Sequence, residues 1–150
     1  MDLADFYSPD TISLDLQGSG KDEILSELVG LLRLDEHATD TLLRALQRRE
    51  TLGSTGVGRG IAIPHCRSPV VSRVRLAYGH HRRGVEYQAI DNRPVFDFFL
   101  IVAPPLEVSN QYLPILGKIA QFAKDADIPE RLAGLQTADD FLLLLGEKGV

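Results

Sequence analysis

A single histidine, His65, follows a glycine-punctuated segment, and an arginine stands sixteen residues before it, in RETLGSTGVGRGIAIPH from Arg49 to His65. A neutral imidazole nitrogen is a good nucleophile toward phosphorus near neutral pH, because its unperturbed pKa is about 6.5. The product would be a phosphoramidate, reactive enough to pass the group onward. Such transfers need alignment of donor and acceptor and neutralisation of the phosphoryl oxygens more than covalent chemistry. Arg49 supplies a fixed charge on a planar fork suited to those oxygens. Gly53, Gly56, Gly58 and Gly60 allow sharp turns and close backbone approach. The N–H groups of the Gly56–Gly60 turn, with the hydroxyls of Ser54 and Thr55, are candidates for an anion nest, although turn chemistry alone would also account for the two hydroxyls.

The elements that must position these groups follow from periodicity. Ile61 and Ile63 alternate with Ala62 as in a half-buried strand, and Pro64 should end its pairing, so that His65 emerges at the strand's end. Ser19 and Asp22 have capping-box spacing ahead of Ile24, Leu25, Leu28, Leu31 and Leu32, a helical row. A second helix is expected from Thr39 or Asp40, with Leu42, Leu43, Leu46 and Arg49 inward and Arg48 turned away. Val74, Leu76 and Tyr78 read as a strand. Val95 to Val102 is apolar on both alternating sets, as in a strand covered on both faces, so its stripe Phe96, Phe98 and Leu100 is core.

Helices are further expected over Leu113–Ala123, with Pro114 in its first turn, and over Asp127–Leu135 around Pro129. A last helix is capped by Thr137 through Asp140 and ends at Gly146. The predicted class is α/β: one layered domain over residues 1–150, with strands flanked by helices.

Composition narrows the function. The 150 residues are 44% hydrophobic and 25% charged, ordinary values for a globular protein. A net charge of −5 argues against a nucleic-acid partner. One cysteine offers no disulfide framework, in keeping with a reducing cytoplasm. No apolar run approaches the ~20 residues of a bilayer span, and the N-terminus lacks signal-peptide order. GVGRG precedes a strand and lacks dinucleotide spacing, and no Walker lysine follows, so no nucleotide cofactor is expected. His80 and His81, followed by Arg82 and Arg83, read as a solvated hairpin edge on a loop, or secondarily as a contact for an acidic partner. With Cys66 and His65 they include zinc-capable atoms, but at no recognised metal spacing, so no metal is predicted. His37 reads as a surface residue in a helix connection.

The segment from Arg49 to His65 resembles the phosphorylation-site signature of the enzyme IIA components of the bacterial phosphotransferase system. The branch is the fructose/mannitol type, which includes the nitrogen-regulatory IIA proteins. SPDTISLDLQGSGKDEILSELVGLL is similar to that family's first strand and helix, and GVEYQAIDNRPVFDFFLIVAPP to its central hairpin and core strand. The resemblance implies a mixed central sheet flanked by helices. It implies that His65 accepts a phosphoryl group from a small histidine-phosphorylated, HPr-like or NPr-like carrier, and that Arg49 is an active-site arginine. The downstream partner would be a regulatory protein or a IIB domain, and pairing with a second copy stays open. With no sugar-transport segment in the sequence, the nitrogen-regulatory type is the expected one.

The family carries a second active-site histidine early in the helix after the core strand, where this chain has Tyr112 in NQYLPILGKIAQF. A tyrosine hydroxyl still donates a hydrogen bond and is neutral at physiological pH. Two outcomes are open: Tyr112 substitutes for the histidine, or the chain is a regulator that works without phosphorylation.

Overall fold

The computed structural model describes residues 1–150. After two short 3-10 turns at Leu3–Phe6 and Pro9–Thr11, the chain runs β1 (Ile12–Ser13), α1 (Lys21–Gly30), α2 (Glu36–Thr51), β2 (Gly56–Gly58), β3 (Ile61–Ala62) and β4 (His65–Arg67). It continues with β5 (Arg75–Val85), β6 (Val95–Ala103), α3 (Tyr112–Lys124), α4 (Ile128–Ala133) and α5 (Ala138–Glu147). One mixed sheet has the order β1-β5-β6-β3-β2, with β4 also on β6. β5 and β6 form its antiparallel centre, while β3 and β4 both run parallel to β6.

Alternation along β6 supplies two cores. Phe99, Ile101 and Ala103 join Tyr78, Ile115, Ile119, Phe122 and Phe141 under α3, α4 and α5. Phe98, Leu100 and Val102 join Ile24, Leu25, Leu28, Leu42 and Leu46 under α1 and α2. The helices therefore form a layer on each face of the sheet, as a strand apolar on both sides requires. Phe96, expected in the core, is only half-buried; it packs over Gly60 and Gly84.

Several local expectations change. Ser19 does not cap α1: the N-cap is Gly20, and the Ser19 hydroxyl donates to Glu23 at 2.6 Å. α2 starts at Glu36, earlier than Thr39, because Asp35 caps it by accepting from the Ala38 N–H at 2.8 Å. His37 thus lies inside a helix, exposed. α5 runs one residue past Gly146, and its Thr137–Asp140 capping box is present.

Pro64 interrupts pairing without ending it. Its carbonyl accepts from the Ile101 N–H at 3.0 Å, and the ladder to β6 resumes at His65. His65 therefore opens a strand instead of closing one. His80 to Arg83 are not a loop but part of the long β5. Within it the His80 ring bonds Asp97 at 2.8 Å, and buried His81 bonds the Gly18 carbonyl at 2.9 Å.

Candidate functional site

α2 reaches the site with an inward row at four-residue spacing: Ala38, Leu42, Leu46 and Glu50. Glu50, not Arg49, completes that row. Its buried carboxylate takes the Lys21 ammonium at 3.1 Å and the Thr55 N–H at 3.1 Å, and it accepts from the Thr55 hydroxyl as well. Lys21 also sits 4.4 Å from the centre of the Tyr87 ring. These contacts tie the end of α2 to α1 and to the chain entering β2. Arg49, one residue aside from the row, is half-buried and donates to the Gly53 carbonyl at 2.8 Å.

β4 pairs only with β6, so its other edge is free. There α2 from one layer and the start of α3 from the other border an open cleft of about 680 Å³. Arg48, Arg49 and Leu52 form the α2 side; His65, Cys66 and Arg67 form the floor; Tyr112 closes the far side. The structure thus brings His65, Arg49 and Tyr112 together. Arg48, expected to turn away, faces the same cleft, because the last turn of α2 presents two neighbouring positions to it.

Each side chain is held differently. The His65 Nδ1 lies 2.7 Å from the Ile63 carbonyl oxygen. A carbonyl only accepts, so Nδ1 carries the proton and Nε2 keeps a free lone pair. Tyr112 is the first residue of α3, its ring 6.0 Å from the His65 ring and tilted by 44°. Burial raises its phenol above the ordinary range, so the hydroxyl keeps its proton at neutral pH. Burial also pushes the Cys66 thiol up to about 12, against the pull of nearby Arg48. Arg48, Arg49 and Arg67 take part in no salt bridge. The cleft is a cationic patch on an acidic protein.

The glycine segment lies apart from the cleft floor. None of Ser54, Thr55, Gly56, Gly58 or Gly60 borders the His65 cleft. They build the β2–β3 hairpin, where Gly58 and Gly60 take φ of +96° and +79°. The N–H groups of Thr55, Gly56 and Arg59 are taken by Glu50, Ser54 and Asp91, and the Ser54 hydroxyl donates to the Tyr87 carbonyl at 2.7 Å. Gly56 has no room for a side chain, since a Cβ would lie 2.7 Å from that of Ala89. Close approach is real, but the partner is the protein itself.

Sequence reasoning missed Arg67 as a cleft residue. Its signal was available: two residues after His65 on a strand, it shares the histidine's face. No helix is long and apolar enough to cross a membrane.

Comparison with known proteins agrees with this architecture. A nitrogen regulatory protein of Pseudomonas aeruginosa is 32% identical over 139 residues, covering 91% of this chain and 90% of that one. A PTS system fructose-specific EIIA component of Haloferax volcanii is 30% identical over 148 residues, with 94% of each chain covered. The crystal structure of nitrogen regulatory protein IIA-Ntr from Neisseria meningitidis superposes with a TM-score of 0.86 at 28% identity, covering 95% of this chain and 98% of that one. The sequence model for the phosphoenolpyruvate-dependent sugar phosphotransferase system, EIIA 2, matches residues 5–148. The mixed sheet, its two helical layers and this full-length match make the chain a member of the EIIA 2 family of the phosphotransferase system.

Proposed function

We propose that residues 1–150 act as one cytoplasmic phosphocarrier and regulatory unit, in which His65 accepts a phosphoryl group from a histidine-phosphorylated carrier protein. The observation that carries this reading is the hydrogen bond from His65 Nδ1 to the Ile63 carbonyl, which leaves Nε2 as the nucleophile beside unpaired arginines. The Nε2 lone pair forms the new N–P bond as the donor's N–P bond breaks. The donor imidazole departs with that bond's electron pair, and each ring keeps its own N–H, so no proton needs to move. Arg49, with Arg48 beside it, offsets charge on the phosphoryl oxygens. Exposed Leu52 on the cleft, and exposed Leu113 next to Tyr112 in the chain, are apolar contacts for a docking protein.

Phosphorylation would add about −1.5 to −2 charge to a cationic surface and so change which partner binds. The similarity to nitrogen regulatory proteins favours a regulatory partner downstream. The similarity to a fructose-specific EIIA component supports a second reading, transfer to a IIB domain in sugar uptake. Phosphate incorporation from phosphoenolpyruvate, through enzyme I and the carrier of the source organism, tests the acceptor. Intact mass under alkaline conditions should gain one phosphoryl group in the wild type and none in His65→Ala. A wild-type chain that gains nothing overturns the reading.

A further inference from the structure

Arg67 is the best-anchored of the three cleft arginines and has no part in the scheme so far. β4 alternates, so His65 and Arg67 project to one face, opposite Ile101 and Ala103 of β6, while Cys66 projects to the other. The guanidinium carbon lies 4.6 Å from the centre of the Tyr112 ring. One terminal nitrogen donates to the Pro104 carbonyl at 2.8 Å, just past the end of β6. The same Tyr112 ring stands 6.0 Å from the ring of His65.

A guanidinium has five N–H donors. Pro104 takes one, the ring face takes none, and no carboxylate pairs with the group. A cation without a carboxylate, held by a carbonyl on one side and an aromatic face on the other, keeps several N–H groups for a ligand. The ligand chemistry that matches a planar fork beside a nucleophilic imidazole is a tetrahedral oxyanion. We infer that Arg67 binds the oxygens of the phosphoryl group on His65, and that Tyr112 is a positioning residue whose ring holds the Arg67 fork in place. This rests on the acceptor reading above and deepens it. It also gives Tyr112 a task that its ring performs, independent of proton donation by its hydroxyl.

The test uses potassium phosphoramidate as a small phosphoryl donor, which needs no carrier protein. The donor's P–N bond breaks as the Nε2–P bond forms, and ammonia leaves with the electron pair after protonation by water. Labelling of the whole chain is followed by intact mass, with the rate and the later hydrolysis rate recorded. Arg67→Ala should label at least about tenfold more slowly, short of the 10²–10³ that an enclosed oxyanion donor is worth, because the cleft is open. Arg67→Lys should fall between, since it keeps the charge and loses the fork. Added guanidinium ion at millimolar concentration should restore part of the Arg67→Ala rate. Tyr112→Ala should lose a similar factor, and the double variant no more than the larger single loss.

Arg67→Ala labelling at the wild-type rate, or additive losses in the double variant, would overturn the inference and leave the acceptor reading intact. A slow Arg67→Ala that guanidinium does not rescue, with a lowered melting midpoint, assigns Arg67 to stability alone and also overturns it. A wild-type chain that never labels at His65 overturns both.

Discussion

The Nδ1 of His65 is held 2.7 Å from the carbonyl oxygen of Ile63, two residues earlier in the chain. That bond crosses Pro64, whose fixed φ stiffens the step between the two strands. The imidazole is thereby presented in one tautomer, Nδ1–H. Long-range proton–nitrogen correlation spectra of the unphosphorylated protein should show a pyridine-like Nε2 and a protonated Nδ1. Phosphorylation should shift the Nε2 resonance most. A dominant Nε2–H tautomer would remove the geometric basis of the proposed attack.

Glu50 should be a stability determinant. Its carboxylate is buried among Lys21 and both donors of Thr55. Glu50→Ala leaves Lys21 partly buried without a partner and should cost about 3–5 kcal/mol. Glu50→Gln, which keeps the shape and part of the hydrogen bonding, should cost about 1–3 kcal/mol. Urea denaturation at neutral pH gives both values, and equal losses would contradict the role of the charge.

Glycine substitutions separate hairpin architecture from phosphate binding. In Gly56→Ala the new methyl would meet Ala89, and in Gly60→Ala the residue would have to hold a left-handed φ of +79°. Each should lower stability by about 1–3 kcal/mol. Labelling of His65 below the unfolding transition should proceed at the wild-type rate, since these residues lie outside the cleft. A specific loss of labelling in a fully folded variant would return them to the phosphate site.

Alkaline pH should destabilise the fold in a defined direction. The Cys66 thiol ionises at about 12 in the folded chain against an ordinary 9.0, and burial raises Tyr7, Tyr78 and Tyr87 as well. Above roughly pH 9 the unfolded thiol, and above roughly pH 10 the unfolded phenols, lose protons that the native state retains. Stability therefore holds below that range and falls as pH rises through it, by at most about 1.4 kcal/mol per pH unit for each group. The urea midpoint should be flat near neutrality, drop above roughly pH 9, and drop less steeply between roughly pH 9 and 10 in Cys66→Ala. In the folded protein, Cys66 should also react slowly with a disulfide reagent near pH 8, because the thiolate is the reactive form.

The sequence by itself determined the layered class, most helices, the two-faced strand from Val95 and the Thr137 cap, and it singled out His65 and Arg49, which the fold brings to one cleft. All of these depend on local signals: a period of two or 3.6, a capping spacing, or a residue type with distinctive chemistry. Only the tertiary structure decided that Glu50 takes the inward position beside Arg49, because its partner Lys21 is 29 residues away. It also decided that His81 is buried against Gly18, 63 positions distant, and that the glycines serve a hairpin lying against Ala89. It placed Arg67 on the ring of Tyr112, at the end of a different strand and the start of a different helix. Periodicity reports how one element divides between core and solvent. Which side chains meet depends on strand order and on how the helical layers close over the sheet, and those relations join residues far apart in the chain.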